Sequence, residues 1–408
     1  MNKIEEARKL LKEYHQEHIN VENEEMAEQI LNIDFEKMQE LYELAINKKC
    51  VNNIENIEPV KAINPAKLKE DEINKYRKLG EDAIKAGKFT IAIMAGGQGT
   101  RLGHNGPKGT FEIELNSKVK SLFEVIVDKL KEAYEKYNIY LNCYIMTSPQ
   151  NHEETITFFK EKEYFDYPKQ CIKFFKQDDL PLMDKNGKLI LGKDGLIKQA
   201  SDGNGGIFYS MAEKGILDEL KKKKIEWIFI GSVDNLLAKY VDTLLLGLAI
   251  EKQVKIATRT VLKNNPQERV GVLCKKNGKV KVIEYTEIPE EMRLAVNENG
   301  EILYGESHIM CNLFNIEAIE KASTKELKYH VAEKKAEFID KDGNLVKLEE
   351  PNCYKFEKFI FDSFCLFDEI AILRGKREEN FAPIKNAEGV DSPKTAKKLY
   401  EDFMKKNT

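Results

Sequence analysis

The stretch Thr90–Gly109, TIAIMAGGQGTRLGHNGPKG, limits what this chain can fold into more than any other segment. Thr90 to Met94 is a short apolar run of the kind that forms a buried strand. It leads directly into a loop holding Gly96, Gly97, Gly99, Gly103, Gly106 and Gly109, with Arg101 and Lys108 among them. Glycines let backbone N–H groups approach an anion closely, and two cations neutralise phosphate charge. The segment therefore reads as a phosphate loop on a strand of an α/β fold.

Two familiar phosphate loops fail on register. A Walker A loop needs G-x-x-x-x-G-K-[ST], but Lys108 is preceded by Pro107 and followed by Gly109. The dinucleotide fingerprint G-x-G-x-x-G, started at Gly97, requires glycine where Leu102 stands. No clear acidic residue ends a second strand about 20 residues later, because Leu115-Asn116-Ser117 leads into a basic segment. A nicotinamide-dependent oxidoreductase is set aside on both counts.

The chain's periodicity changes near Phe89. Residues 1–88 read as a helical region: Ile4, Ala7, Leu10, Leu11 and Tyr14 recur at helical spacing, and Glu24–Leu31, Phe35–Ile46 and Asp71–Ala86 continue it, with Pro59 and Pro65 as breaks. From Phe89, strand and helix patterns alternate, predicting a doubly wound mixed α/β sheet with ligands beyond the strand C-termini. Asp234, just after the apolar run Trp227–Ile230, falls at that edge; as a lone residue it is either a metal ligand or the cap of a helix starting near Asn235. Asn277-Gly278 signals a type I′ hairpin turn. The length of 408 residues accommodates this as 1–88 helical, 89–374 an α/β domain, and 375–408 a small C-terminal unit ending in a helix at Pro393–Lys405.

Net charge of −4 gives no basic field for nucleic acid, and Lys221–Lys224 reads as a solvated helix end. No run has signal-peptide or membrane-span character, and seven cysteines without a C-x-x-C pair suggest neither a disulfide framework nor a zinc site. The expectation is a cytoplasmic protein, monomeric or weakly homo-oligomeric, with neither nucleic acid nor membrane as partner.

The loop A-G-G-x-G-T-R-L-G followed by P-K-G resembles the signature of sugar-nucleotide pyrophosphorylases. Further blocks follow in order: Asp202-Gly203-Asn204-Gly205-Gly206, Ser232-Val233-Asp234-Asn235, Val270-Gly271-Val272 with Glu284-Tyr285-Thr286-Glu287-Ile288, Lys355 to Asp362, and Arg377 to Asn386. Together they resemble eukaryotic-type UDP-N-acetylglucosamine pyrophosphorylases over about residues 85 to 400. The resemblance implies a Rossmann-like nucleotidyltransferase domain that makes UDP-N-acetylglucosamine and pyrophosphate from UTP and N-acetylglucosamine 1-phosphate.

By the same resemblance, Arg101, Lys108 and Lys385 are the catalytic cations. Ala95, Gly96, Gly97, Gln177 and Gly203 meet the nucleotide with Lys108, and Asp234 holds Mg²⁺, with Mn²⁺ as the alternative ion. Asn204, Gly271, Glu284, His308 and Lys355 meet the sugar phosphate. A glutamine suits a uracil edge because it both donates and accepts. One block departs from the family pattern. Where a Gly-Asn-Ile-x-Asn-His-Phe-Phe stretch is expected, the chain reads Ser307 to Phe314, with His308 and Cys311 at the two Asn positions. That substitution keeps open a pyrophosphorylase of different or broader sugar scope, for glucose, galactose or N-acetylgalactosamine 1-phosphate.

Overall fold

The computed structural model describes residues 2–47, 56–340 and 343–407. They form two compact units that interleave along the chain. Met1–Val51, Asp178–Gly206 and Leu327–Ile360 make up the smaller, and Asn52–Gln177, Ile207–Glu326 and Phe361–Thr408 the larger. These lines differ from the sequential division 1–88, 89–374 and 375–408, because helices close in sequence find their apolar partners far along the chain.

The larger unit is built on a ten-stranded mixed sheet. Its main path runs Ile57–Pro59, Val272–Lys276, Glu306–Asn315, Trp227–Ser232, Phe89–Met94, Cys143–Thr147, Ile172–Lys176. The last four are mutually parallel. Numbered along the chain, these four lie in the order 3-2-1-4, so the winding reverses between Phe89–Met94 and Trp227–Ser232. Ligands of such sheets sit beyond the strand C-termini at that reversal. Both strands are buried nearly throughout, as expected of parallel strands covered on two faces.

Glu306–Asn315 turns the sheet antiparallel: it pairs with Trp227–Ser232 on one side and Ile256–Leu262 on the other. The register shifts opposite Arg259 and Thr260, where Met310 has φ of 55°. The predicted hairpin is present: Val272–Lys276 pairs with Lys279–Ile283 across Asn277 and Gly278, both with positive φ, as a type I′ turn requires. Arg259 to Leu262 forms the second half of the strand Ile256–Leu262.

Region 1–88 is not helical throughout. Ile57–Pro59 is an edge strand, where proline's missing N–H costs no ladder bond. The helix Glu70–Lys85 packs in the larger unit against Thr243–Lys252. The Pro393–Asn407 helix sets Leu399, Tyr400 and Phe403 against the same core.

In the smaller unit, Lys3–Glu13, Glu24–Leu31 and Phe35–Ile46 are N-capped by Asn2, Asn23 and Asp34. Their apolar faces, among them Leu11, Ile30 and Met38, share a core with Met183, Tyr354 and Phe356. Those last three lie on a three-stranded sheet of Tyr329–Lys334, Cys353–Lys358 and Met183–Asp184. Six cysteines are free thiols, and Cys50 lies outside the described residues. Among the described residues no helix is long and apolar enough to cross a membrane.

Candidate active site

The glycine loop leaves the sheet at Ala95, whose N–H donates to Met146 O at 2.8 Å. It then folds back on itself: Gly99 N donates to Gly106 O at 2.9 Å, and Lys108 N to Gly97 O at 3.0 Å. Asn151 braces the loop. Its side-chain amide donates to Ala95 O at 3.0 Å and Gly97 O at 3.4 Å while its Oδ1 accepts from Ser148 N. Asn151 stands at the N-cap position of His152–Glu161 but makes no side-chain cap bond. The sequence reading missed it; the only signal was an Asn just past a buried strand.

Gln177 follows the neighbouring strand Ile172–Lys176 and is almost fully buried. A Cβ on Gly96 would lie 2.7 Å from its Oε1, so glycine at 96 is what lets the amide reach the loop. The Gln177 amide makes no hydrogen bond to the described residues. Arg101 is exposed, and its guanidinium likewise has no partner among them.

Lys108, Asp234 and Lys385 form one charge cluster at the sheet reversal. Lys108 Nζ donates to Asp234 Oδ2 at 2.7 Å, and Ser232 Oγ donates to Asp234 Oδ1 at 2.7 Å. Burial alone would push the Asp234 carboxyl up; the Lys108 and Lys385 charges and the two hydrogen bonds outweigh it and hold it at about 2. No helix starts at Asn235. The next helix is Thr243–Lys252, capped by Asp242, so Asp234 is not a cap.

Lys385 is held there by backbone pairing. Asn235 Nδ2 donates to Asn380 O at 2.8 Å, Asn235 Oδ1 accepts from Ala382 N at 2.8 Å, and Ile384 N donates to Asp234 O at 2.8 Å. Asp391 Oδ2 lies 3.8 Å from Lys385 Nζ. Ala387 N donates to Arg101 O, tying the same segment to the glycine loop. Ser232, Asn235 and Asp391 complete the cluster without having been singled out from sequence.

A second group in the larger unit surrounds Gly271. A Cβ there would lie 3.0 Å from Glu284 Oε1, and Gly271 O accepts from His308 N at 2.9 Å. His308 is 7% exposed, its Nε2 bonded to Asn312 Oδ1 at 2.9 Å and its ring edge-on to Phe361 and Phe364. Burial pushes its pKa down to about 4 against the Asn312 bond, so the ring is neutral and packed. Cys311 is buried in the main core, and burial pushes its thiol up to about 12.

Gly203, Asn204 and Lys355 belong to the smaller unit. Gly203 has φ of 93° and touches the Lys358 backbone, where any Cβ would lie 2.3 Å from Lys358 O. Asn204 Oδ1 accepts from Ile360 N at 2.8 Å. Lys355 Nζ pairs with Glu357 at 2.8 Å and donates to Ser201 Oγ at 3.3 Å. Lys358 bridges to buried Asp202 at 2.8 Å, a structural pairing.

Comparison with known proteins follows the same lines. The model of the UTP–glucose-1-phosphate uridylyltransferase family matches residues 35–392. UDP-N-acetylglucosamine diphosphorylase 2 of Arabidopsis thaliana is 35% identical over 373 residues, covering 87% of this chain and 70% of the relative. The UDP-N-acetylglucosamine pyrophosphorylase of Saccharomyces cerevisiae is 35% identical over 339 residues, covering 80% and 71%. Among solved structures, the uridine diphosphate N-acetylglucosamine pyrophosphorylase of Trypanosoma brucei superposes with a TM-score of 0.80 at 29% identity, covering 98% of this chain and 84% of that one.

Proposed function

Because this chain belongs to the UTP–glucose-1-phosphate uridylyltransferase family, we propose that it transfers the uridylyl group of UTP to N-acetylglucosamine 1-phosphate. The products are UDP-N-acetylglucosamine and pyrophosphate. The observation that carries this reading is the convergence of Lys108, Lys385 and Asp234 at the sheet reversal beside the glycine loop, in a chain 35% identical to two N-acetylglucosamine enzymes.

The reaction needs no enzymic nucleophile. The sugar phosphate oxygen attacks the α-phosphorus in line, the bond to the β-phosphate oxygen breaks, and pyrophosphate leaves with that electron pair. The chain's work is to bring two polyanions together and to stabilise charge as it moves. Backbone N–H groups of Gly96 and Gly97, and the free amide of Gln177, take the nucleotide base. Arg101, Lys108 and Lys385 take the phosphates. In the larger unit Gly271 and Glu284 take the sugar; in the smaller unit the resemblance assigns Gly203 to the nucleotide, Asn204 to the sugar and Lys355 to its phosphate. His308 backs this pocket as packing, with its Nε2 already committed to Asn312.

Asp234 fits a hard divalent cation. Among the described residues no three His, Cys, Asp or Glu side chains cluster as a cage, whereas Mg²⁺ characteristically takes one or two carboxylates and completes its shell from substrate phosphates and water. Asp234 would hold Mg²⁺ or Mn²⁺, which would supply positive charge against the phosphates. The neighbouring lysines keep the carboxylate ionised for it.

The test is pyrophosphate release from UTP and Mg²⁺ against a panel of sugar 1-phosphates. N-acetylglucosamine 1-phosphate should be preferred. Preference for glucose 1-phosphate, or none, moves the protein to the broader-scope enzyme; no release with any sugar overturns the reading.

A further inference from the structure

A cavity of about 660 Å³ in the larger unit has neither Lys108 nor Asp234 in its lining. Its walls come from Glu70–Lys85, the C-terminal half of Leu122–Tyr137, residues 238–244 and residues 374–380. In a chain of net charge −4, seven of its lining side chains are cationic and three are acidic.

Pairing accounts for four of the seven. Arg259 Nε bonds Asp242 at 2.5 Å, Arg374 Nε bonds Glu306 at 2.7 Å, Lys136 lies 2.9 Å from Glu81, and Lys376 lies 2.9 Å from Glu379. Arg77, Lys129 and Lys239 have no carboxylate in salt-bridge range among the described residues, and Glu132 is the single lining acid left over. Lys129 donates only to the neutral carbonyl of Ala238, at 3.0 Å.

Arg77 is exposed, whereas Lys129 and Lys239 are half-buried; withdrawing a cation even partly from water without a counter-charge is costly, and such groups are usually paired or discharged. Burial pulls Lys129 down to about 8. Burial, then the Arg259 and Arg77 charges, pull Lys239 down as well, so these cations feel one another across the cavity. The missing component is negative charge, in a space of the size that holds a small metabolite.

We propose that this cavity is a second anion site, taking a phosphate dianion, either free or carried by a small phosphorylated metabolite, on Arg77, Lys129 and Lys239. Arg77 offers the planar fork suited to two phosphate oxygens, and the lysines add point charges. The site is distinct from the one that takes UTP, yet its wall is joined to it. Asn380 lines the cavity, and its carbonyl accepts from Asn235, the neighbour of Asp234.

The experiment is calorimetric titration of the full chain with inorganic phosphate and, separately, with glucose 6-phosphate, in parallel with the double variant Arg77→Gln, Lys239→Gln. Wild type should bind, and the variant should lose at least about tenfold in affinity, with an unchanged melting temperature and unchanged turnover in the absence of the anion. Tighter binding of glucose 6-phosphate identifies a metabolite as the source, and tighter binding of inorganic phosphate identifies the free ion. Either anion should also slow acylation of Lys129 and Lys239, read by peptide mass spectrometry on the wild type; that arm stands even if the double variant fails to fold. No binding up to about 10 mM, equal binding by a folded variant, or no protection of the two lysines overturns the proposal.

Discussion

Asn151 is the residue on which the glycine loop's shape depends most directly. It is 1% exposed and satisfies two loop carbonyls at once, so Asn151→Ala leaves both facing a small void. The expected cost is about 1–3 kcal/mol by denaturant unfolding, with a raised KM for UTP and a smaller change for the sugar phosphate; equal changes in both would assign Asn151 a purely structural role. His308 makes a separate prediction. Its unfolded pKa is near 6.5 and its folded value about 4. Above 6.5 both states are neutral and stability is full. As pH falls from 6.5 to 4 only the unfolded chain takes the proton, so stability declines by on the order of 3 kcal/mol. An imidazole titration followed by NMR should give a midpoint below 5, and a midpoint near 6.5 would place the ring in water. These two residues mark the limits of reading from sequence. The glycines, Arg101, Lys108 and Asp234 announce themselves because their chemistry is tied to local spacing. Asn151 and the packing of His308 depend on residues distant in the chain, and nothing local records them.

Among the elements, the helix pair Glu70–Lys85 and Thr243–Lys252 is held at backbone contact by two glycines. A Cβ on Gly247 would lie 1.7 Å from Tyr76 O, and one on Gly80 would lie 2.1 Å from Thr243 O. Neither neighbour is a side chain that can swing away. Gly247→Ala must therefore part the helices, and should destabilise the larger unit by about 1–3 kcal/mol or more; a melting temperature equal to wild type would show that the helices adjust freely. The periodicity over Asp71–Ala86 predicts a helix and its buried face, but an apolar stripe does not say how near the partner comes. The hairpin at Asn277-Gly278 was legible because its turn chemistry is local. The strand Ile57–Pro59 was not: three residues are too few to show a period, and its pairing with Val272–Lys276 spans most of the chain.

At the scale of the molecule, the first 47 residues are not an appendage to a following domain. Leu11, Ile30 and Met38 share one core with Met183, Tyr354 and Phe356. Deleting residues 2–46 should leave the strands Tyr329–Lys334 and Cys353–Lys358 without cover. Their amides should then exchange with solvent rapidly, while Phe89–Met94 and Trp227–Ser232 keep their protection; retained protection in both sets would mean that the smaller sheet stands alone. A sequential division into 1–88 and beyond could not anticipate this, because interleaving is a property of long-range contacts. The bond network from Asn235 to Asn380 and Ala382 carries a consequence in time. These partners lie 145 residues apart, so at ribosomal speeds roughly 7–30 s pass between their emergence. Throughout that interval Lys385 has yet to emerge, so of the two lysines that hold the Asp234 carboxylate ionised in the folded protein only Lys108 has been made.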